Sequence, residues 1–526
     1  MIVEKRKKSR FDLTKRKKAS LVLILVVSGF FIPYAGFFLY SMENYNSYAY
    51  DLEPPNPQKF VKEDASLMAA MAMWVEENIV NHHLPNGQIV NTVFETSEDP
   101  SRGNDEPQRY TVTYDSCEWT GHYLMGEAYR HAVHLREGRS QLAADALENI
   151  KLVLEGIDLR LHVSGNGGMA RFAWPVDEYP GDPDNLQDDN HYRGSWKGQE
   201  YVFEDDTSRD MHNGIIMGLG IAYLLVDDSS IRDQIRTLVE FMLDYFLDNG
   251  WLYMKPTDDP NGTDLDAGFW LFGTSGIWTL AYLKVGALVN PGKYQAIYEH
   301  HASERDYVHR SAIPYMSRTN VVQAYYGLLL DWEVLYVLIM LEQDEGLKRV
   351  YLDYIGQIRE YTKNDRNAQF NAMWLIMNGF SEKSASQQET FIRNDLVDCL
   401  MRYHGAPQRI PGRNINITND EVKSEQSQSW LDFYEKGLGS KLYPFYREIY
   451  QFEVVAERAL TPDLRPQTDY LWSRPPYWFE AKNQDGRHEG PSVDYVAVYW
   501  PCRYYGLISE PDGYGAEIEI TYPGDS

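Results

Sequence analysis

Cysteine is scarce in this chain of 526 residues, which has three: Cys117, Cys399 and Cys502. Three cysteines are too few for a disulfide framework, and none has the spacing of a metal site. One pair could form and would leave a third thiol over. We expect the cysteines to pack in the core as small apolar side chains.

Several sequence signatures of catalysis are also missing. The chain contains no H-E-x-x-H, G-x-S-x-G, Walker A or dinucleotide-binding pattern, so zinc proteolysis, serine hydrolysis on the α/β-hydrolase fold and nucleotide use lose support. Strand patterns are few, the best being residues 516–521, and alternating strand–helix units are absent. A doubly wound sheet is therefore not expected.

Positive charge is scarce beyond the first residues. Lys and Arg total 50 against 77 Asp and Glu, a net charge of −27. Residues 1–18 hold nine basic and two acidic residues, so the remainder carries −34. Nucleic-acid binding requires a basic surface that displaces the counterions of the phosphates. The acidic body therefore argues against a nucleic-acid partner.

A long stretch without charge follows this basic tail. No charged residue occurs between Lys18 and Glu43, and twenty helical residues span the roughly 30 Å of a hydrocarbon core. We predict one transmembrane helix in residues 19–42, followed by a stalk at 43–57. The basic tail, residues 1–18, predicts a cytoplasmic N-terminus and an extracytoplasmic main domain. A cleaved signal peptide is the alternative.

The main domain, residues 58–526, shows helical periodicity. Five consecutive pairs of segments with apolar residues at three- and four-residue spacing lie between residues 115 and 401. The segments at 58–80 and 493–507 could form a sixth pair by closing a circle. The first segment of a pair is apolar all round, as at 214–226, whereas the second is amphipathic, as at 231–247. This contrast predicts buried inner helices that are covered by outer ones.

Such pairs resemble the six-hairpin (α/α) toroid of many glycoside hydrolases and polysaccharide lyases. The resemblance covers about residues 58–507 and lies in the architecture, with a looser similarity in the sequence DDTSRDMHNGIIMGLGIAYLLV. It implies an all-α fold, an (α/α)6 toroid, and an enzyme that acts on carbohydrate.

The first of three polar clusters precedes the segment at 214–226. It contains Asp206, Asp210 and His212, for which we predict catalytic roles, and Arg209, which could hold a substrate carboxylate. The alternative interpretation is a helix cap with a surface ion pair.

Two further clusters lie at the starts of other helical segments. Residues 115–123 contain Asp115, Glu118, Trp119 and His122, which we predict to bind substrate, although core packing also explains Trp119. Residues 485–495 contain Arg487, His488, Glu489, Asp494 and Tyr495. Of these, Glu489 and Asp494 are predicted to be catalytic and the other three to bind substrate; an exposed charged loop is the alternative. Trp196 and Trp270 could stack on sugar rings.

These patterns favour a membrane-anchored glycoside hydrolase that acts on an extracytoplasmic glycan. Hydrolysis would pair Asp206 or Asp210 with Glu489 or Asp494. A uronate lyase is the first alternative, with His212, His488 or Tyr495 as acid or base and Arg209 or Arg487 on the substrate. A non-catalytic surface protein that binds glycans or a partner is the second.

No resident cofactor or metal is predicted. Calcium at an acidic loop is the alternative, because carboxylate oxygens are calcium ligands; a solvated loop explains the same residues: Asp182, Asp184, Asp188 and Asp189.

Overall fold

A computed structural model describes most of the main domain. The described residues are 52–95, 107–186, 190–205, 207–251, 275–311, 313, 325–403, 458–465, 470–476 and 487–514. The chain divides into the units Met1–Asp51 and Leu52–Ser526, and every described residue belongs to the second. No helix within these ranges is long and apolar enough to cross a membrane. The predicted basic tail (1–18) and anchor (19–42) lie outside the described residues.

The fold is mostly helical, as predicted. Within the described ranges there are 12 α-helices, and ten of them (α2–α11) fall in the five predicted pairs. Their bounds are α1 Ala65–Asn78, α2 Ser116–Arg136, α3 Ser140–His162, α4 Arg209–Leu225, α5 Ser229–Asp248, α6 Ser275–Val289, α7 Pro291–Glu299, α8 Tyr325–Leu341, α9 Glu345–Thr362, α10 Ala368–Met377, α11 Gln387–Met401 and α12 Val493–Tyr504.

Side chains before several helices fix where they begin. The Asp228 carboxylate accepts from the backbone N–H of Ile231 at the start of α5. Ser386 and Glu389 form a reciprocal capping box at the start of α11. Such caps satisfy backbone N–H groups that have no partner within the helix. A side-chain cap also begins the buried helix α10, where the Asn367 side chain accepts from the Phe370 N–H.

Six helices contact one another in series. Helix α2 packs against α4, α4 against α6, α6 against α8, α8 against α10, α10 against α12, and α12 against α2. Helix α8 also packs against α4. Each remaining helix packs against one of these six: α3 on α2, α5 on α4, α7 on α6, α9 on α8, α11 on α10 and α1 on α12.

The closest approach in this series joins α2 and α4. A Cβ atom on Gly121 would lie 1.9 Å from the carbonyl oxygen of Gly214, and one on Gly214 would lie 2.4 Å from the Glu118 carbonyl. Only glycine therefore fits at either position. This close packing brings the first turns of the two helices together.

In the described part of the chain, two three-stranded antiparallel sheets accompany the helices, although the sequence predicts an all-α domain. One has the order β2-β1-β6 and the other β3-β5-β4. Their bounds are β1 Asn91–Phe94, β2 Pro107–Thr111, β3 Phe172–Pro175, β4 His191–Trp196, β5 Gln199–Glu204 and β6 His488–Glu489. Such strands carry little periodicity, and β1 pairs with β6 across almost 400 residues. The sheets were missed because long-range pairing, not local pattern, stabilises these strands.

Both sheets lie next to helix N-termini. Strand β2 precedes α2, β5 precedes α4 and β6 precedes α12. The hydroxyl of Thr113, just before α2, donates to Glu204 Oε2 at the end of β5 over 2.7 Å. The starts of α2 and α4 are thus linked through the loops and strands that precede them.

The three cysteines are buried free thiols, as expected of core residues. Burial raises the pKa of each thiol, so these thiols stay protonated at neutral pH.

Candidate functional site

A buried cluster of two glutamates and a histidine lies between α2 and α8. Glu118 and His122 are one turn apart on α2, and Glu333 belongs to α8. One oxygen of each carboxyl group and one ring nitrogen of the histidine lie within 4.8 Å of one another. His122 Nε2 and Glu333 Oε1 are separated by 2.7 Å. We call these three residues the Glu–His–Glu cluster.

Backbone contacts orient two members of this cluster. His122 Nδ1 lies 2.9 Å from the carbonyl oxygen of Glu118, which can only accept. Nδ1 therefore carries the proton, and in the neutral ring Nε2 is left with its lone pair. Glu118 Oε2 accepts from the backbone N–H of Gly214 on α4 over 2.9 Å, so the cluster is tied to three helices.

Burial dominates the electrostatics of the cluster. Glu118 and Glu333 are 2% and 1% exposed, and burial raises the pKa of Glu333 to about 8. Burial, followed by the neighbouring charge of Glu333, also raises the pKa of Glu118 well above its usual value. Burial lowers the pKa of His122. All three groups thus favour their uncharged forms unless a cation compensates the carboxylates.

Apart from a hydrogen bond that the two carboxyl groups can share when one is protonated, Glu118 Oε1, His122 Nε2 and both carboxyl oxygens of Glu333 have no hydrogen-bond partner among the described residues. A buried polar atom without a partner costs about 1–3 kcal/mol. One atom from each of the three side chains lies within 4.8 Å of the others, an arrangement that a proton or a cation would stabilise.

A second group of side chains is partly exposed at the starts of α2 and α4. The Tyr326 ring is 53% exposed. Burial raises the pKa of its hydroxyl, the negative charges of Asp210 and Asp115 add to this, and Arg209 opposes it. Asp115 and Asp210 are themselves half-buried. The charges of two half-buried carboxylates and a guanidinium therefore act on the hydroxyl of an exposed tyrosine of α8. We call these four residues, Asp115, Arg209, Asp210 and Tyr326, the rim group.

The rim group and the buried cluster interact electrostatically. The negative charge of Asp210 contributes to the raised pKa of both Glu118 and Glu333. The guanidinium carbon of Arg209 lies 5.2 Å from the centroid of the Trp278 ring, a cation–π contact.

An aromatic stack borders the buried cluster. Trp119 and Tyr470 are parallel, with centroids 4.2 Å apart, and the His122 ring lies 5.0 Å from Tyr470. The Asp494 carboxylate accepts from the hydroxyl of Tyr403 over 2.5 Å and from the Leu471 N–H over 2.8 Å. It therefore anchors the segment that carries Tyr470. Burial raises the pKa of Asp494 to about 6.

The structure thus brings together much of two sequence clusters. The predicted residues that meet at the starts of α2 and α4 are Asp115, Glu118, Trp119, His122, Arg209 and Asp210. Asp494 adjoins them through Tyr470, and its negative charge reaches His122.

Two other predicted residues face neighbouring helices. His212 Nδ1 lies 2.8 Å from the Ser208 carbonyl, and its ring packs on Phe246 of α5. Burial lowers its pKa to about 4. The Tyr495 hydroxyl donates to the Met68 carbonyl of α1 over 3.0 Å. Both side chains therefore lie in the interfaces between helices.

Residues 487–489 belong to the sheet that contains β6. Arg487 Nε donates to the Phe94 carbonyl over 2.9 Å, and His488 is exposed and paired with β1. Glu489 is buried, and its Oε1 lies 3.0 Å from His83 Nε2 and 2.7 Å from Asn78 Nδ2. This carboxylate fastens the sheet to the end of α1.

Trp196 lies at the end of β4, where its Nε1 donates to Asp158 over 3.2 Å and Lys197 lies over its ring. Asp206 and Trp270 lie outside the described residues. So do Asp188 and Asp189 of the acidic loop, whereas Asp184 is exposed and pairs with Arg193.

The sequence analysis missed Glu333 and Tyr326. Both belong to α8, whose sequence YYGLLLDWEVLYVLIML is apolar almost throughout. A carboxylate inside such a helix has to be buried, and buried acids are rare unless paired. A glutamate in an otherwise apolar helix was therefore the sequence signal that could have identified Glu333.

Comparison of the chain with models of protein families, with curated proteins and with solved structures finds no match in any of the three.

Proposed function

We propose that this protein is a glycoside hydrolase acting on an extracytoplasmic glycan. The observation that carries the proposal is the rim group, in which the charges of Asp115 and Asp210 act on an exposed tyrosine. Hydrolysis of a glycosidic bond needs two carboxyl groups on either side of the bond. An exposed aromatic ring supplies a face on which a sugar can stack.

In this proposal the body is an (α/α)6 toroid, with α2, α4, α6, α8, α10 and α12 as the inner ring. The serial contacts of these helices and the pairing of each with one further helix support that arrangement. The first and last hairpin partners, α1 and α12, would close the ring. The rim group then occupies the mouth towards which α2 and α4 point their N-termini, where helix dipoles favour negative charge.

Each member of the rim group has a chemical role. One of Asp115 and Asp210 protonates the departing glycosidic oxygen. The other attacks the anomeric carbon or activates the water that does so. Arg209 binds an acidic or hydroxyl group of the sugar, and Tyr326 stacks against its ring. The predicted anchor at residues 19–42 would keep the enzyme at the membrane that faces its substrate.

A glycan panel tests the proposal with the full-length protein. We expect the products to have new reducing ends and no ultraviolet absorbance, because hydrolysis creates no double bond. The variants Asp210→Asn and Asp115→Asn should each lower the rate at least about 100-fold, the size of a general acid–base contribution. Aryl glycosides with a good leaving group would restore the rate of the variant that lacks the acid, which assigns the two roles.

Asp145→Asn on α3 is the matched control, since Asp145 is an exposed carboxylate that contacts Gln141. Its rate should equal that of the unaltered protein. Products with an unsaturated, ultraviolet-absorbing end would instead indicate a lyase. Binding of a glycan without any turnover, unchanged in Asp210→Asn, would indicate a non-catalytic binder.

A further inference from the structure

Buried carboxylates occur in pairs at several places among the described residues. Two of these pairs are each bound by an arginine. Arg130 Nη1 lies 2.9 Å from Glu127 Oε2 and 3.5 Å from Glu76 Oε2. Arg366 contacts Asp395 and Asp398 in the same way. In each case a fixed cation neutralises two acids that are removed from water, as the cost of burying charge requires.

The Glu–His–Glu cluster has the acids but no such cation. Neither Glu118 nor Glu333 forms an ion pair with a lysine or arginine among the described residues; the partner of both is His122. The proton on Nδ1 of that histidine is directed to the Glu118 carbonyl. Its Nε2 therefore presents a lone pair to Glu333 Oε1, while Glu118 Oε1 lies 3.9 Å from Nδ1 of the same ring.

The separation of His122 Nε2 and Glu333 Oε1 is close to that of two ligands of one ion. Nε2 and Oε1 are 2.7 Å apart, yet they lack the alignment of a hydrogen bond. Two donor atoms that each lie about 2.1 Å from a common metal are roughly 3 Å apart, and they point at the metal and not at each other. A backbone hydrogen bond on the remaining ring nitrogen is the usual arrangement around a metal-bound histidine.

From these contacts we propose that Glu118, His122 and Glu333 bind a divalent transition-metal ion that joins α2 to α8. The donor set of one imidazole and two carboxylates suits Zn²⁺ or Mn²⁺, whereas Ca²⁺ takes oxygen ligands only. The ion supplies the positive charge that Arg130 and Arg366 supply in the other two pairs. Three protein ligands leave a coordination position open for water.

Metal analysis of the full-length protein tests this site directly. After chelation and dialysis, Zn²⁺ and Mn²⁺ are titrated separately, and bound metal and thermal stability are measured. We expect about one ion per chain and a rise in melting temperature with metal concentration. Glu333→Gln should weaken binding at least about 100-fold, because losing a ligand costs more than losing one of its supporting contacts.

Glu127→Gln is the matched control, since it removes a buried carboxylate from the same helix but from the pair that contains Arg130. It should bind metal as the unaltered protein does. Absence of a bound ion in the unaltered protein, or equal binding in Glu333→Gln, would overturn the proposal and leave a pair of carboxyl groups that hold protons.

Circular dichroism of the metal-free variants guards against misfolding: Glu333→Gln should keep its helix content and melt no lower than the metal-free unaltered protein. The metal site is tested separately from the proposed hydrolysis: Asp210→Asn should lose turnover and still bind the metal.

Discussion

Helix α2 carries two buried acidic sites that differ in one respect. Glu127 sits with Glu76 around Arg130, and Asn149 donates to it over 3.0 Å. Nine residues earlier on the same helix, Glu118 lies near Glu333 and His122, with no arginine or lysine paired to either acid among the described residues. We call the first the arginine site and compare it with the Glu–His–Glu cluster.

The difference between the two sites shows that burial alone does not indicate function. Burial raises the pKa of Glu127 and Glu118 alike. What separates them is a fixed cation: Arg130 lies between Glu76 and Glu127, although Glu76 Oε2 and Arg130 Nε also make no hydrogen bond among the described residues. The Glu–His–Glu cluster has no such cation among the described residues, so its buried carboxyl groups have to hold protons or an ion.

The largest effect is expected from removing the arginine. Arg130→Met leaves Glu76 and Glu127 buried without their cation, which typically costs about 3–5 kcal/mol. The free energy of unfolding, measured by denaturant titration, should fall by that amount. The double variant Arg130→Met/Glu127→Gln should recover part of the loss. A loss below about 1 kcal/mol in the single variant would mean that the acids simply take up protons.

The next largest effect is expected at Asp365, a buried acid whose negative charge is only partly offset by nearby arginines. Asp365 accepts from the Tyr325 hydroxyl over 2.8 Å, and burial raises its pKa from 3.8 to about 7 despite the charges of Arg465 and Arg359. At a pH between these two pKa values, Asp365 therefore holds a proton in the folded state and has lost it in the unfolded state. Stability attributable to Asp365 should decline as the pH rises from about 4 to about 7, by up to about 4 kcal/mol.

Asp365→Asn should flatten that part of the curve of unfolding free energy against pH. Asp353→Asn, which alters an exposed aspartate of α9, should leave the curve unchanged. Parallel curves for Asp365→Asn and the unaltered protein would show that another group causes the decline.

A smaller effect of opposite sign is expected at the Glu–His–Glu cluster. In metal-free protein, Glu333→Gln replaces a buried acid that has no donor with a neutral amide. We expect a gain of about 1–3 kcal/mol, the cost of an unsatisfied buried polar group. Chemical denaturation in the presence of chelator measures it. A destabilisation as large as that of Arg130→Met would mean that the two sites are equivalent.

The smallest effect is expected at the surface. Lys197 pairs with Glu155 over 2.6 Å and lies over the Trp196 ring, but the charged groups are largely exposed. Lys197→Met should change the free energy of unfolding by no more than about 0.5 kcal/mol, because water and salt screen exposed pairs. A change beyond about 1 kcal/mol would show that this surface contact behaves like the buried sites.

The helices could be predicted because their signal is local. Apolar residues at helical spacing placed the five pairs, and capping residues such as Ser386 mark helix starts within a few positions. The strands could not be predicted in this way. Val93 pairs with His488, and nothing in either short segment identifies the other.

The candidate site was predictable in part. Asp115, Glu118, His122 and Asp210 were found because they precede or open helices in polar clusters. His212 belongs to the same cluster as Asp210 but faces Phe246, since a difference of two residues turns a side chain to another side of a helix. Glu489 was grouped with a loop and instead binds His83 in the interior.

The sequence by itself determined the mostly helical fold, the acidic body and the burial of the cysteines, because each depends on composition or on neighbours within a few residues. Only the tertiary structure decided which acids share a partner. Glu118 and Glu333 are more than 200 residues apart, and the approach of α2 and α8 brings them together. Packing between helices decides whether a carboxylate meets an arginine or another carboxylate, and local sequence pattern does not predict that packing.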